Sequence, residues 1–127
     1  MLSFSLAWSK VGELICISSA DGSNIFATKE GDYSKAFFHY VGGQWKYTPN
    51  VISFFEPNVN SYRRFSRGIS LSPVNLQSGY DNRTTGLRVS DTNPKNYRIE
   101  NRLLGADVDP YLSILVALTC GYLGIKN

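Results

Sequence analysis

The chain has 127 residues, which suits one ordinary domain, and 43% of them are hydrophobic while 18% are charged. This composition excludes an intrinsically disordered protein, and a net charge of +3 without a lysine-rich run gives nucleic-acid binding no specific support. His39 is the single histidine and no CxxC motif is present, so a Cys/His metal site is excluded. We expect Cys16 and Cys120 to be buried free thiols of a cytoplasmic protein, with a structural disulfide as the alternative.

The N-terminal residues do not predict a targeting segment. Residues 1–19 are moderately apolar, but they include Lys10 and Glu13 and lack a basic start followed by a continuous apolar core. Near the C-terminus, the apolar stretch 114–118 is too short to cross a membrane. The sequence therefore predicts neither a signal peptide nor a membrane span.

An apolar run and a turn signal predict the first two elements. Residues 14–18 (LICIS) are typical of a buried strand. Residues 20–24 (ADGSN) predict a turn, because Asp-Gly supplies the positive φ that a tight reversal needs.

Two helical segments are predicted next. Ser34 is a suitable N-cap for a helix whose apolar residues recur at helical spacing as far as Trp45. The glycines at 42–43 weaken this helix. Pro49 favours the first position of a second short helical segment, which would end at Phe55.

The middle of the chain predicts a loop followed by three strands. Residues 56–68 are rich in Pro, Asn, Ser and Gly and predict a loop. Residues 72–79 and 84–89 are expected to be strands, and a turn at 91–95 (DTNPK) follows them. Residues 97–103 alternate strictly, which predicts a strand with one charged face.

A helix is predicted at the C-terminal end. Asp109 is a suitable N-cap and Pro110 a suitable first residue, so the helix should run to Gly121 or beyond. Its apolar face is predicted at four positions, Leu112, Leu115, Val116 and Tyr122. Strands in the middle and helices on either side indicate an α+β fold.

Arginine is confined to one segment. All seven arginines lie between residues 63 and 102, whereas the six lysines are scattered along the chain. Guanidinium groups bind carboxylate and phosphate oxygens in pairs and stay charged when partly buried, so the segment predicts an anion site. Solvated surface charges are the alternative. The arginines are Arg63, Arg64, Arg67, Arg83, Arg88, Arg98 and Arg102.

The sharpest local pattern is the charged face of the predicted strand 97–103. A period of two places Arg98, Glu100 and Arg102 on the same surface. One interpretation is a structural ion-pair ladder. The other is that Glu100 holds a divalent cation while the arginines grip anions, as phosphoryl transfer requires. Because no glycine-rich phosphate loop of the Walker type is present, the pattern alone does not decide between them.

Four longer motifs lie between residues 57 and 112. They are PNVNSYRRF at 57–65, GYDNRTTGLRV at 79–89, RIENRL at 98–103 and GADVDPYL at 105–112. Together, in this order and spacing, they resemble the catalytic domain of the glutamine synthetase family. The residues of these motifs are most similar to those of the branch that includes γ-glutamyl-polyamine ligases. The resemblance implies a partial catalytic domain at 20–127, with an antiparallel curved sheet flanked by helices, after a divergent segment at 1–19.

The resemblance also implies a role for each matching residue. Glutamate would be bound by Arg64 and Arg102, and Arg83 would lie near the transferred phosphate as the catalytic arginine. The nucleotide would be bound by Arg88, Lys95 and Arg98, and Glu100 would hold the metal on the nucleotide side. The implied cofactors are ATP with Mg²⁺ or Mn²⁺.

The implied activity is an ATP-dependent carbon–nitrogen ligation of glutamate in nitrogen metabolism. Glutamate would be phosphorylated on its γ-carboxylate, and ammonia or an amine would then attack the acyl phosphate. Family members work as large homo-oligomeric rings in the cytoplasm. The resemblance implies neither a nucleic-acid nor a membrane partner.

The chain departs from the family pattern at several positions. The segment GELICISS (12–19) has no histidine where the family places a His-x-His strand, and the flap SRGISLSP (66–73) has no glutamate. The family's other metal carboxylates and its β-grasp domain lie upstream of the matching region. We therefore expect an inactive fragment of a synthetase-type ligase. The alternatives are a non-catalytic remnant and a regulatory subunit that docks onto an intact synthetase.

Overall fold

The computed structural model describes residues 3–9, 12–66, 73–90 and 93–127. Within these ranges, five strands form one sheet, and two long helices and one short helix accompany it. The strands are β1 (Ser3–Ser9), β2 (Gly12–Ser18), β3 (Ser78–Tyr80), β4 (Leu87–Ser90) and β5 (Arg98–Asn101). The helices are α1 (Lys35–Val51), α2 (Arg63–Ser66) and α3 (Pro110–Lys126), with 3₁₀ turns at Ile52–Phe54 and Pro94–Asn96. This arrangement confirms the α+β prediction.

The sheet is mainly antiparallel and runs in the order β1-β2-β5-β4-β3. Strand β2 pairs antiparallel with β1 and with β5, and β4 pairs antiparallel with β5. Strand β3 pairs with β4 in parallel over three residues. The predicted strand at 14–18 is confirmed as part of β2, and the strand predicted at 97–103 is confirmed at its centre as β5.

The other two predicted strands are shorter than expected. Strand β3 includes only the last two residues of the strand predicted at 72–79. The first residue of that prediction, residue 72, lies outside the described residues. Strand β4 begins at Leu87 instead of residue 84, because the side chains of Asn82 and Thr84 bond within the preceding turn. Such local bonds compete with a sheet ladder. The predicted turn at 91–95 falls partly outside the described residues, and Asn93 caps the 3₁₀ turn that follows.

Helix α1 confirms the predicted N-cap but not the predicted break. The Ser34 side chain accepts a hydrogen bond from the Phe37 backbone N–H. The prediction that a second helix begins at Pro49 is wrong, because Pro49 lies inside α1, in its last turn. A proline removes one backbone hydrogen bond, and a helix kept in place by tertiary packing tolerates that loss close to its end.

Glycines allow α1 and α3 to pack closely together. A Cβ atom on Gly43 would overlap the Cys120 carbonyl, one on Gly124 the His39 carbonyl, and one on Gly121 the Tyr40 ring. The Tyr40 hydroxyl and the Gln44 side-chain N–H both donate to the Ala117 carbonyl, at 3.3 and 2.6 Å. The helix pair therefore combines close backbone approach with buried hydrogen bonds.

The predicted apolar face of α3 is wrong at three of its four positions, and only Val116 packs against the core. Leu112, Leu115 and Tyr122 are exposed, and the positions fully buried against the rest of the domain are small side chains. These are Ser113, Ala117, Cys120 and Gly121. A pattern of large apolar residues identifies a helix but not which of its faces packs, and here the need for close contact with α1 selects the small residues.

The hydrophobic core lies between the sheet and the two long helices. Ile15 and Ile17 of β2 face it together with residues of β4, β5 and α1. Further members include Phe26, Phe37, Tyr40, Phe55, Leu87, Val89, Ile99 and Ala117. Both cysteines are free, with Cys120 buried as predicted and Cys16 partly exposed.

Candidate functional site

The centre of the candidate site is an ion-pair array on two adjacent strands. Arg88 of β4 lies directly across the ladder from Glu100 of β5. The Arg88 Nη1 donates to Glu100 Oε2 at 2.9 Å, and Arg102 Nη1 donates to Glu100 Oε1 at 3.4 Å. Glu100 is 5% exposed and Arg102 is 3% exposed. Two guanidinium groups thus compensate one buried carboxylate on a single sheet face.

Asp81 extends the array at its exposed end. Its Oδ1 accepts a hydrogen bond from Arg88 Nε at 2.9 Å and a second from Nη2. Asp81 follows β3 at a φ of 44°, a conformation that aspartate adopts more readily than most residues. The bonds from Arg88 hold the pKa of Asp81 below its usual range. Arg88 is therefore held between the carboxylates of Asp81 and Glu100. No local sequence pattern predicted its contact with Asp81.

Arg98 and Lys95 lie at the start of β5 and in the turn before it. The Arg98 Nε donates to the Asn96 carbonyl at 3.2 Å. Lys95 is exposed and lines a cavity of about 960 Å³ between its own turn and the segment 19–31. Lys29 and Asp21 line the same cavity. The cavity is open, and Lys29 and Lys95 give it two cationic side chains that could meet an anionic ligand.

Arg64 is engaged by groups of its own chain. Its guanidinium donates to the Leu103 carbonyl and forms an ion pair with the buried carboxylate of Glu56. Burial raises the pKa of Glu56, and the charge of Arg64 opposes that rise. The sequence did not predict a role for Glu56, because the loop pattern at 56–68 does not indicate which side chains come into contact in the fold. Because Leu103 directly follows Arg102, this contact brings Arg64 to the backbone beside Arg102.

Asp107 supports the same corner of the molecule. Its Oδ2 accepts hydrogen bonds from the Asn58 amide and the Ser61 hydroxyl, each at 2.7 Å. These bonds lower the pKa of Asp107. The loop that carries Asn58 and Ser61 is thereby tied to the segment between β5 and α3.

The structure connects three of the seven arginines singled out in the sequence. Arg88, Glu100 and Arg102 contact one another, and Arg64 joins them through the backbone beside Arg102. Arg83 is exposed in the turn that also holds Asp81. Arg67 lies outside the described residues. The interpretation of the array as a structural ion-pair ladder and its interpretation as an anion site both fit these contacts.

The described residues do not by themselves fit a divalent metal ion. No group of three or more His, Cys, Asp or Glu side chains within the described ranges could hold one. Glu100, the predicted ligand, has both of its oxygens bonded to arginine. His39 is exposed on α1. In the described part of the chain, no helix is long and apolar enough to cross a bilayer.

Comparison with known proteins assigns the fold and motifs to one family. Residues 15–127 match the catalytic domain of glutamine synthetase. The chain is 35% identical over 114 residues to gamma-glutamylputrescine synthetase PuuA of Escherichia coli, covering 89% of this chain and 24% of that protein. It is 34% identical over 127 residues to a glutamate–isopropylamine ligase of Pseudomonas, covering 97% and 28%.

Solved structures agree with the sequence comparison. An ADP complex of GmaS superposes with a TM-score of 0.74 at 28% identity, covering 90% of this chain and 27% of that chain. A glutamine synthase homologue superposes with a TM-score of 0.73 at 24% identity, covering 91% and 29%. The chain thus spans about a quarter of the length of the relatives that it matches.

Proposed function

Because this chain belongs to the glutamine synthetase catalytic-domain family, we propose that it is part of an ATP-dependent ligase that joins glutamate to ammonia or an amine. Its relatives include proteins named for ligation of putrescine, ethanolamine and isopropylamine to glutamate, as well as glutamine synthetases. The observation that carries the proposal is the Arg88–Glu100–Arg102 array on β4 and β5. These residues lie in the segments GYDNRTTGLRV and RIENRL, which resemble motifs of the family.

The nucleotide end of the site is proposed at the cavity. Lys95 would bind phosphate oxygens there, and Arg98 at the start of β5 and Arg88 on β4 would bind further oxygens of the nucleotide. The fork of Arg88 is already oriented by Asp81 and Glu100, so little side-chain entropy would be lost when an anion binds. Cations held in fixed positions stabilise the charge that develops when a phosphoryl group moves.

The glutamate end is proposed at Arg64 and Arg102, with Arg83 nearest to the transferred phosphate. A carboxylate substrate would have to compete with Glu56 for Arg64 and with Glu100 for Arg102. In the proposed reaction a γ-carboxylate oxygen of glutamate attacks the γ-phosphorus of ATP and ADP leaves. The amine nitrogen then attacks the acyl carbon, phosphate leaves, and a proton is lost from nitrogen.

We propose that this chain alone does not turn over. Glu100 is one carboxylate already bonded by two arginines, and phosphoryl transfer of this kind uses metal sites with several ligands. Among the described residues, no group of three or more His, Cys, Asp or Glu side chains could complete such a site. The alternatives are a non-catalytic remnant and a regulatory subunit of an intact synthetase. By analogy with the family, we also propose a cytoplasmic protein that assembles into homo-oligomeric rings.

Isothermal titration with a non-hydrolysable ATP analogue and Mg²⁺ tests the nucleotide end. We expect measurable binding that weakens about tenfold in Lys95→Ala, because one charge-assisted phosphate contact is lost. Lys29→Ala is the matched control, since Lys29 lines the same cavity and the resemblance implies no role for it. A folded chain that binds no nucleotide would contradict the proposal and favour a non-catalytic role.

A further inference from the structure

The outer face of α3 is an apolar surface without charge. Tyr111 is 84% exposed, Leu115 is 60% exposed and Tyr122 is 57% exposed. From Pro110 to Ile125 the helix contains no charged residue. Exposed helices usually carry charged side chains on their solvent face, so a stripe of this kind marks a contact surface.

The large residues of this face form a narrow seam. Tyr111, Leu115, Leu118 and Tyr122 are spaced by four, three and four residues, which is the spacing of a heptad seam. At 3.6 residues per turn they fall within about 60° of one another around the helix axis. Leu118 is half-buried, and the small residues that face α1 lie on the opposite side. We call these four residues the α3 seam.

The α3 seam is complementary to itself in an antiparallel arrangement. We propose that two copies of this chain associate through it about a two-fold axis centred between residues 116 and 117. Tyr111 then meets Tyr122 of the second copy, and Leu115 meets Leu118 of the second copy. Each large residue of one seam therefore packs against another large residue, as an isologous interface requires.

The charges at the two ends of α3 favour the same arrangement. Asp107 and Asp109 precede the helix and are exposed, and Lys126 is exposed in its last turn. In the two-fold register, Lys126 lies opposite residues 107–109 of the second copy. Antiparallel helices also place their dipoles in opposition, whereas a parallel pair would bring like charges together at both ends.

Sedimentation equilibrium measures the association directly. A contact of two helices is small, so we expect a dimer with a Kd on the order of 10 μM. Leu115→Lys should weaken it at least tenfold by burying a charge in the seam, and Lys126→Glu should weaken it by repulsion from Asp109. Val74→Lys, at an exposed apolar residue that precedes β3, is the control and should leave the Kd unchanged.

Disulfide trapping tests the register. In a Cys16→Ser, Cys120→Ala background checked for folding by circular dichroism, chains with Tyr111→Cys and chains with Tyr122→Cys are mixed and oxidised. Mixed 111–122 dimers are expected, with few 111–111 or 122–122 dimers. A preference for the like-with-like products, or a dimer that Leu115→Lys does not weaken, overturns the proposal. A chain that stays monomeric up to several hundred micromolar overturns it as well, and leaves the seam to another segment or another protein.

Discussion

Glu13 illustrates how a single side chain in this fold departs from expectation. It is 1% exposed, and in the described structure neither of its carboxylate oxygens has a hydrogen-bond partner. Directly across the ladder in β5, the Asn101 side-chain N–H group is also buried without a partner. Burial raises the pKa of Glu13 to about 7. Glu100, by contrast, is buried with an arginine donating to each of its carboxylate oxygens.

The raised pKa of Glu13 makes stability depend on pH. The protonated form is favoured in the folded state, so the free energy of unfolding should be highest below the ordinary pKa of 4.5 and fall as the pH rises to about 7. The loss from this group should be about 2–3 kcal/mol. Urea unfolding at pH 4.5 and pH 8 measures it, and Glu13→Gln should remove most of the difference.

Glu30→Gln is the control for this measurement, since Glu30 is exposed. It should leave the pH dependence of the wild-type chain unchanged. A Glu13→Gln chain that still loses the same free energy between the two pH values would show that another group is responsible.

At the scale of elements, the contact between α1 and α3 depends on glycine. Gly43 lies against the backbone of α3, whereas a Cβ atom on the neighbouring Gly42 would meet nothing within 4 Å. Both residues occupy the interior of the same helix, and each weakens it equally by propensity. They differ in what surrounds them, which is a property of tertiary packing and not of the local sequence.

The two glycines are therefore a matched pair for substitution. Gly43→Ala should destabilise the chain by about 2–4 kcal/mol, because backbone atoms of α3 must move to admit a methyl group. Gly42→Ala should stabilise it by up to about 1 kcal/mol through helix propensity. Thermal and urea unfolding measure both effects, and equal changes in the two variants would mean that the helices are not in close contact.

At the scale of the whole molecule, the N-terminal hairpin is joined to the rest of the sheet. Strand β2 pairs with β5, which carries Glu100, and its residues Ile15 and Ile17 belong to the core. The family match begins at residue 15, inside β2. The division of the chain at residue 19 stays a prediction, and these contacts provide a way to test it.

Deletion of residues 1–19 tests that division. It removes two buried isoleucines and the neighbour of β5, so we expect a loss of at least about 3–5 kcal/mol or failure to fold. Deletion of residues 1–11 is the comparison, because it keeps β2 and should cost much less. If the chain 20–127 unfolds at the same urea concentration as the full chain, residues 1–19 do not stabilise the rest. That result would support the predicted division at residue 19.

The sequence by itself determined the elements that depend on local chemistry and the family that depends on motif order. Ser34 and Asp109 cap helices because their side chains accept from nearby backbone N–H groups, and the alternation around Glu100 predicted β5. Only the tertiary structure decided which face of α3 is buried, that Pro49 stays inside α1, and that Glu56 pairs with Arg64. These features depend on contacts between residues distant in the chain, where packing and burial outweigh local preference.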